Sequence, residues 1–385
     1  MSDFPHPLVS SDSHMIEPPT LWVERIDKPY RDRAPRTVRN YLGQEGEYFV
    51  VEGVKPWPVV RLFAPGIRGE DMPEYHKKTF DAAPASVWDP AARLKEQDVD
   101  GIKSEVMFTG FGLFLYGLKD ASLRAASFRA YNDYVAEYCN HDPNRLVGVA
   151  LITLGDIPAA VAELNRCARK GLRGAMIWSR APEDRPYQDP YYDPFWAAAS
   201  ELGTILTMHI ATGAQGFGID PAAWLVSFTT LHIEIQRSLT ELILYGVFER
   251  FPKLRVVSAE NDCGWVPHLM HRMDHVYEEF RYVAQEMRGV SLSMPPSEYF
   301  KRNVRVTFQH EKEEVKFARQ FFGSDALMWG SDYPHADGTW PNSRKILAGA
   351  FSDLPSGDAA KLVGATSPLC TASTSNLDRR FVGWQ

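Results

Sequence analysis

Short apolar runs recur along this chain at intervals that suit strands: Leu8-Val9, Glu105 to Phe108, Leu146 to Ile152, Gly174 to Trp178, Ile205 to Ile210, Leu254 to Val257, Val304 to Phe308 and Leu327 to Trp329. Most are followed by amphipathic segments of helical spacing, such as Ile157 to Arg169 and Pro194 to Leu202. Alternating strands and helices of this kind predict an α/β fold, a (β/α)8 TIM barrel, although a doubly wound open sheet has a similar periodicity. A barrel makes a demand that an arbitrary α/β pattern does not. Its chemistry sits where the strands end, because the loops leaving those ends build the site.

Polar residues stand at those ends. Asp12 and His14 close the first run in S-D-S-H-M-I-E-P-P, His209 lies near the end of the fifth, Glu260 ends the sixth, and Asp332 follows the eighth in G-S-D-Y-P. Each has an ordinary reading alone: a polar turn for D-x-H, a hydrogen-bonded core histidine for His209, the start of a turn for Asp332. Together they would bury several ionisable groups side by side, at a cost of roughly several kcal/mol per unpaired charge unless a cation neutralises them. Two imidazoles and two carboxylates, Asp12, His14, His209 and Asp332, suit one divalent ion. Zinc comes first, with manganese or iron next and calcium or magnesium behind.

The composition of the 385 residues narrows the partners. With 44% hydrophobic and 24% charged content the chain is an ordinary globular one, read as a single domain over residues 1–385. A net charge of -7 without a long basic run argues against nucleic acid or an anionic membrane, leaving a small-molecule substrate. The four cysteines, Cys139, Cys167, Cys263 and Cys370, show no C-x-x-C spacing, and no charged-then-apolar leader opens the sequence; the expectation is a reduced, cytoplasmic protein. Residues 23–90 form a long insertion after the first strand, with R-T-V-R-N-Y-L-G-Q-E-G-E-Y-F-V-V-E-G alternating like a β-hairpin. So long a segment reads as a lid or a dimer contact. The excursion from Ala211 to Glu249 is a second candidate for packing against another copy, so a homodimer or higher homo-oligomer is expected. The polar segment from Ser367 to Gln385 is read as surface.

The motifs resemble the amidohydrolase superfamily, and within it the branch that includes aminocarboxymuconate-semialdehyde decarboxylase. The resemblance is carried by D-S-H-M-I-E-P-P-T-L-W, Y-D-P-F-W-A-A-A-S-E-L-G, F-E-R-F-P-K-L-R, A-E-N-D-C-G-W-V-P-H-L, P-S-E-Y-F-K-R-N-V and G-S-D-Y-P-H. It implies that Asp12 and His14 are the first-strand metal ligands, His209 the fifth-strand ligand, and Asp332 an aspartate that binds metal and handles protons. At the sixth strand many relatives carry histidine and this chain carries Glu260. Three roles stay open for it: a further ligand, a general acid or base, or the salt-bridge partner of an arginine. Glu17, past the strand and before two prolines, is read as bracing a loop. His335 either contacts substrate at the pocket mouth or is an exposed loop residue. His310 reads as surface, and His268, His271 and His275 as the polar face of an amphipathic helix.

A bound divalent ion brings the pKa of its water to about 7 and polarises a substrate oxygen. Asp332 and Glu260 are the candidate acid and base. The reading preferred from sequence is hydrolysis of a small aromatic carbonyl compound by metal-activated water; the alternative is non-oxidative decarboxylation of an aromatic or unsaturated acid by the same ligands. A silent metal-binding relative is the third. Phe108, Trp178 and Phe308, at or near strand ends, are the candidate substrate-binding aromatics, joined by Phe111, Phe114 and Tyr116 after the second strand.

Overall fold

The computed structural model describes residues 4–216 and 223–365. Eight parallel strands follow one another in chain order: β1 (Leu8–Met15), β2 (Ile102–Thr109), β3 (Leu146–Leu151), β4 (Gly174–Ile177), β5 (Ile205–His209), β6 (Val256–Ala259), β7 (Val304–Phe308) and β8 (Leu327–Trp329). Each pairs in parallel with the next. Burial on both faces is nearly continuous in all of them, as parallel strands covered by helices require. The barrel reading holds.

The helices start where the sequence provides caps. Asp89, Asp120 and Asp156 accept hydrogen bonds from the first free backbone N–H groups of Pro90–Asp100, Ala121–Cys139 and Ile157–Arg169. His268, His271 and His275 lie exposed on Val266–Arg288, the amphipathic helix expected. No helix among the described residues is long and apolar enough to cross a membrane. Ser367 to Gln385 lies outside the described residues.

The insertion holds the expected hairpin and one strand more. Arg36–Arg39 pairs antiparallel with Glu47–Val51, which pairs with Val54–Pro58. This small sheet packs on the loop that leaves β2: Phe49 stacks on Phe111 with ring centroids 4.6 Å apart, and Trp57 meets Phe114 at 5.5 Å.

The first strand departs from expectation. Ser10 to His14 belong to β1 and are fully or almost fully buried, so D-x-H lies inside the strand and is not a turn ending it. The polarity that hides this strand in the sequence has a structural use. Ser10, Ser13 and Ser331 bond one another at 2.8–3.0 Å, and the Ser331 N–H donates to Ser10 Oγ at 2.8 Å. Beyond β8 the chain closes the barrel against β1: the Asp332 N–H donates to the Asp12 carbonyl at 2.9 Å, and the His14 N–H donates to the Tyr333 carbonyl at 2.7 Å. Gly330 permits this approach, since a Cβ there would lie 2.5 Å from that of Asp12.

A buried ion pair braces the seam. Arg93 Nε donates to Glu105 Oε2 at 2.6 Å, and its Nη1 donates to the His14 carbonyl at 2.9 Å while the guanidinium lies 4.5 Å from the centre of the Tyr333 ring. Gln97 and Ser13 also donate to Glu105. Glu105→Ala should destabilise the protein by about 3–5 kcal/mol, because it strands a buried guanidinium. Denaturant titration of the two proteins checks this; a loss below about 1 kcal/mol would show that the pair does not hold the seam.

Candidate active site

The barrel brings Asp12, His14, His209, Glu260 and Asp332 together. His14 Nε2 lies 3.7 Å from Asp12 Oδ1, 3.4 Å from Asp332 Oδ1 and 3.9 Å from Glu260 Oε2. His209 Nε2 lies 3.7 Å from Asp12 Oδ1 and 3.1 Å from Glu260 Oε2. Next to them is a cavity of about 20 Å³, lined by Asp12, Glu260, Thr307, Phe308, Gly330 and Asp332, with room for roughly one water-sized occupant.

Each histidine is turned by its other nitrogen. His14 Nδ1 is 2.7 Å from the Thr109 carbonyl, and His209 Nδ1 is 3.1 Å from the Ile210 carbonyl. A carbonyl only accepts, so Nδ1 carries a proton; burial favours the neutral form of His14, whose Nε2 then presents a lone pair. At His209 burial is outweighed by Asp12 and Glu260, which favour a positive charge at its Nε2 that a metal ion could supply. Glu17 supports this from a distance. Fully buried after β1, it accepts from Thr109 Oγ1, from the Phe111 N–H at 2.7 Å and from the Gly112 N–H at 3.4 Å, fixing the loop whose Thr109 carbonyl orients His14.

The donors have no other employment. Asp12 Oδ1, His14 Nε2 and His209 Nε2 are buried without a hydrogen-bond partner. Such atoms cost about 1–3 kcal/mol each when left alone. Their convergence fits a divalent cation, with carboxylate oxygen and imidazole nitrogen as its donors.

Backbone and charge set the two loop carboxylates apart. Glu260 and Asp332 adopt left-handed φ of 53° and 54°, strained for residues with a Cβ, where each follows its strand into a loop. Burial raises the Glu260 carboxyl to about 7, and the Asp332 charge adds to the shift. Burial opposes ionisation of Asp332 as well, but His335 and His14 outweigh it and hold that carboxyl well below the usual range. His335 Nδ1 lies 2.8 Å from Asp332 Oδ1. Despite burial, the Asp332 charge lifts its imidazole to about 9. His335 therefore belongs to the site and is not an exposed loop residue.

The remaining candidates divide. Phe108 stands beside the cluster, its ring centroid 5.0 Å from that of His209 and 6.1 Å from that of His14, and Phe308 lines the cavity. Trp178 does not line it; its ring lies 5.6 Å from the Arg124 guanidinium. His310 is exposed, with Nε2 against the Asp337 carbonyl. Sequence reading missed Thr307, whose hydroxyl accepts from the Glu260 N–H at 2.8 Å and donates to Asp12 Oδ2 at 3.4 Å. A lone threonine inside an apolar run gives no signal of that.

The sequence profile of the amidohydrolase family matches residues 23–366. The chain belongs to the amidohydrolase family. A 2-amino-3-carboxymuconate-6-semialdehyde decarboxylase of Dictyostelium discoideum is 26% identical over 259 residues, covering 67% of this chain and 70% of that protein. A gamma-resorcylate decarboxylase of Rhizobium sp. is 26% identical over 278 residues, covering 66% and 80%. Among solved structures, 5-carboxyvanillate decarboxylase from Novosphingobium aromaticivorans, in complex with manganese and 4-hydroxy-3-methoxy-5-nitrobenzoic acid, superposes with a TM-score of 0.69 at 19% identity, covering 95% of this amidohydrolase and 96% of that chain.

These relatives correct the hydrolytic expectation. They are named for loss of carbon dioxide, and the ligand set that suggested metal-activated water serves decarboxylation equally, so the ligands had not favoured hydrolysis.

His209→Ala should bind manganese more than about 100-fold more weakly than the wild type, since it removes one of few donors. Elemental analysis after dialysis reads this as metal per chain; full retention would remove His209 from the ligands.

Proposed function

We propose that this amidohydrolase is a divalent-metal-dependent, non-oxidative decarboxylase of an aromatic or unsaturated carboxylic acid. The observation that carries the reading is the convergence of partnerless Asp12 Oδ1, His14 Nε2 and His209 Nε2 beside aromatic walls, in a chain whose relatives are decarboxylases. Asp12, His14, His209 and Asp332 would hold the ion. When bound, it supplies positive charge that attracts the substrate's carboxylate and an adjacent oxygen and stabilises negative charge developing there. Manganese is the metal of this reading, supported by the donor set and by the manganese in the 5-carboxyvanillate decarboxylase.

The protein's own groups do the rest. Phe108 and Phe308 supply apolar surface against which a planar ring can lie, and an apolar wall disfavours a carboxylate relative to neutral carbon dioxide. Asp332 and His335 share a proton along the 2.8 Å line between Oδ1 and Nδ1. The Asp332 side chain is 3% exposed and that of His335 15%, so the histidine connects a buried acid to the outside. The proton rests on His335, and Asp332 relays it to the ring carbon that bears the carboxylate. The carbon–carbon bond then breaks, its electron pair returns to the ring, and carbon dioxide leaves. His335 restores the proton.

Two measurements test this. Ortho-hydroxylated benzoates incubated with the manganese-loaded protein in deuterium oxide should release carbon dioxide and take up one deuterium at the vacated ring carbon. In oxygen-18 water the organic product should stay unlabelled; label in it would overturn the reading. His335→Gln should lower kcat by about 10²-fold at unchanged manganese content. A variant with undiminished kcat would take His335 out of the proton path.

A further inference from the structure

We propose that Glu260 is itself a ligand of the cation, making five protein donors in place of four; the inference rests on the metal reading above. Of the three roles that the sequence leaves open, the structure bears on two, the arginine salt bridge and ligation. Among the described residues Glu260 has no arginine partner, and its ion pairs are with His14 and His209. A salt bridge to arginine is therefore not its purpose. Its position is also not loose. The left-handed backbone at φ 53° and the N–H bond to Thr307 Oγ1 fix the point from which the side chain departs, and the same hydroxyl holds Asp12 by Oδ2. Thr307 thus sets the two carboxylates in relation to each other and leaves Asp12 Oδ1 without a partner.

The decisive contact is the 3.1 Å between Glu260 Oε2 and His209 Nε2. That distance would suit a hydrogen bond, yet His209 Nε2 makes none. With Nδ1 donating to the Ile210 carbonyl, a neutral imidazole offers Nε2 as an acceptor, although without a cation the Asp12 and Glu260 carboxylates pull this imidazole toward protonation despite burial. An imidazole nitrogen and a carboxylate oxygen this close share either a proton or a cation, and a cation off the line between them accounts for the short distance without a hydrogen bond along it. The spacings agree. Atoms that share an ion at about 2.1 Å stand from about 3.0 Å apart when adjacent to about 4.2 Å apart when opposite. Glu260 Oε2 is 3.1 Å and 3.9 Å from the two imidazole nitrogens, and Asp12 Oδ1, expected as a ligand on other grounds, is 3.7 Å from both. By distance Glu260 has as strong a claim as Asp12.

A fifth donor changes the character of the centre. Three carboxylates beside two imidazoles make a harder, more anionic set, which favours manganese over zinc. An octahedral ion with five protein donors keeps a single position for an outside ligand. Substrate would then ligate the ion through one oxygen, its adjacent oxygen would feel the charge without ligating, and its remaining polar groups would have to be recognised by the protein.

Crystals of the wild-type protein grown with manganese, with anomalous scattering used to place the ion, give the direct test. The expected result is a Glu260 carboxylate oxygen within about 2.3 Å of manganese, alongside Asp12, His14, His209 and Asp332. An ion held by those four with Glu260 beyond about 3 Å, or hydrogen-bonded to His209, overturns this inference and leaves the metal reading standing. No manganese at saturating concentration overturns both. In solution, Glu260→Gln should raise the manganese Kd by more than about 100-fold, above the 10- to 100-fold typical for losing a group that only orients a ligand. A smaller rise, in a variant whose circular dichroism matches the wild type, counts against direct ligation.

Discussion

Three carboxylates and two imidazole lone pairs crowd the space where β1, β5, β6 and β8 give way to their loops, and most of what surrounds them serves to keep them there. Left to themselves the carboxylates would separate, because like charges in a buried cluster repel, as the Asp332 charge does when it adds to burial in pushing up the Glu260 carboxyl. The fold opposes that tendency with fixed backbone. β1 is buried at every residue but Val9, His209 is the last residue of β5, and the two loop carboxylates sit on left-handed residues that cost energy to maintain. Strain of this kind persists only where packing over-determines it.

The support is built in layers around the seam between the first and last strands. Backbone bonds join Asp332 to Asp12 and Tyr333 to His14, hydroxyls of Ser10, Ser13 and Ser331 fill the space behind, and Arg93 with Glu105 clamps β1, β2 and the loop after β8. Glu17 reaches the cluster through Thr109, and Thr307 reaches it through both Glu260 and Asp12. These residues meet no substrate in the proposed reaction. They set distances on which ligation depends, and a shift of even an ångström there would be felt in metal affinity.

The sequence made much of this legible, and the parts it obscured have physical causes. His209, Glu260 and Asp332 can be found because apolar strands end abruptly in ionisable residues, and a barrel collects such ends at one rim. β1 is harder to see. Its polar residues satisfy one another across the seam, so a stretch that hydropathy reads as a turn is a buried strand. Glu105 offered a hint, a carboxylate inside an apolar run, but its partner Arg93 stands in an unremarkable charged helix. Trp178 shows the opposite failure: a strand-end aromatic that packs beneath an arginine and does not line the cavity. The reaction type was not written in the ligands at all, since one set of donors serves water attack and carbon dioxide loss alike.

The seam also bears on the order in which the molecule comes together. Asp12 and Asp332 are contributed by opposite ends of the polypeptide, so the complete donor set exists only after the last strand has docked on the first. Contacts so distant in sequence pay the largest loop-closure entropy and tend to form late. A chain still growing, or one lacking its final strand, would own His14, His209 and Glu260 but not the assembled centre. In the proposed reading metal capture becomes a checkpoint on completed folding: the ion would have full affinity only for a barrel that has already closed, and once seated it would tie the first and last strands of the barrel together.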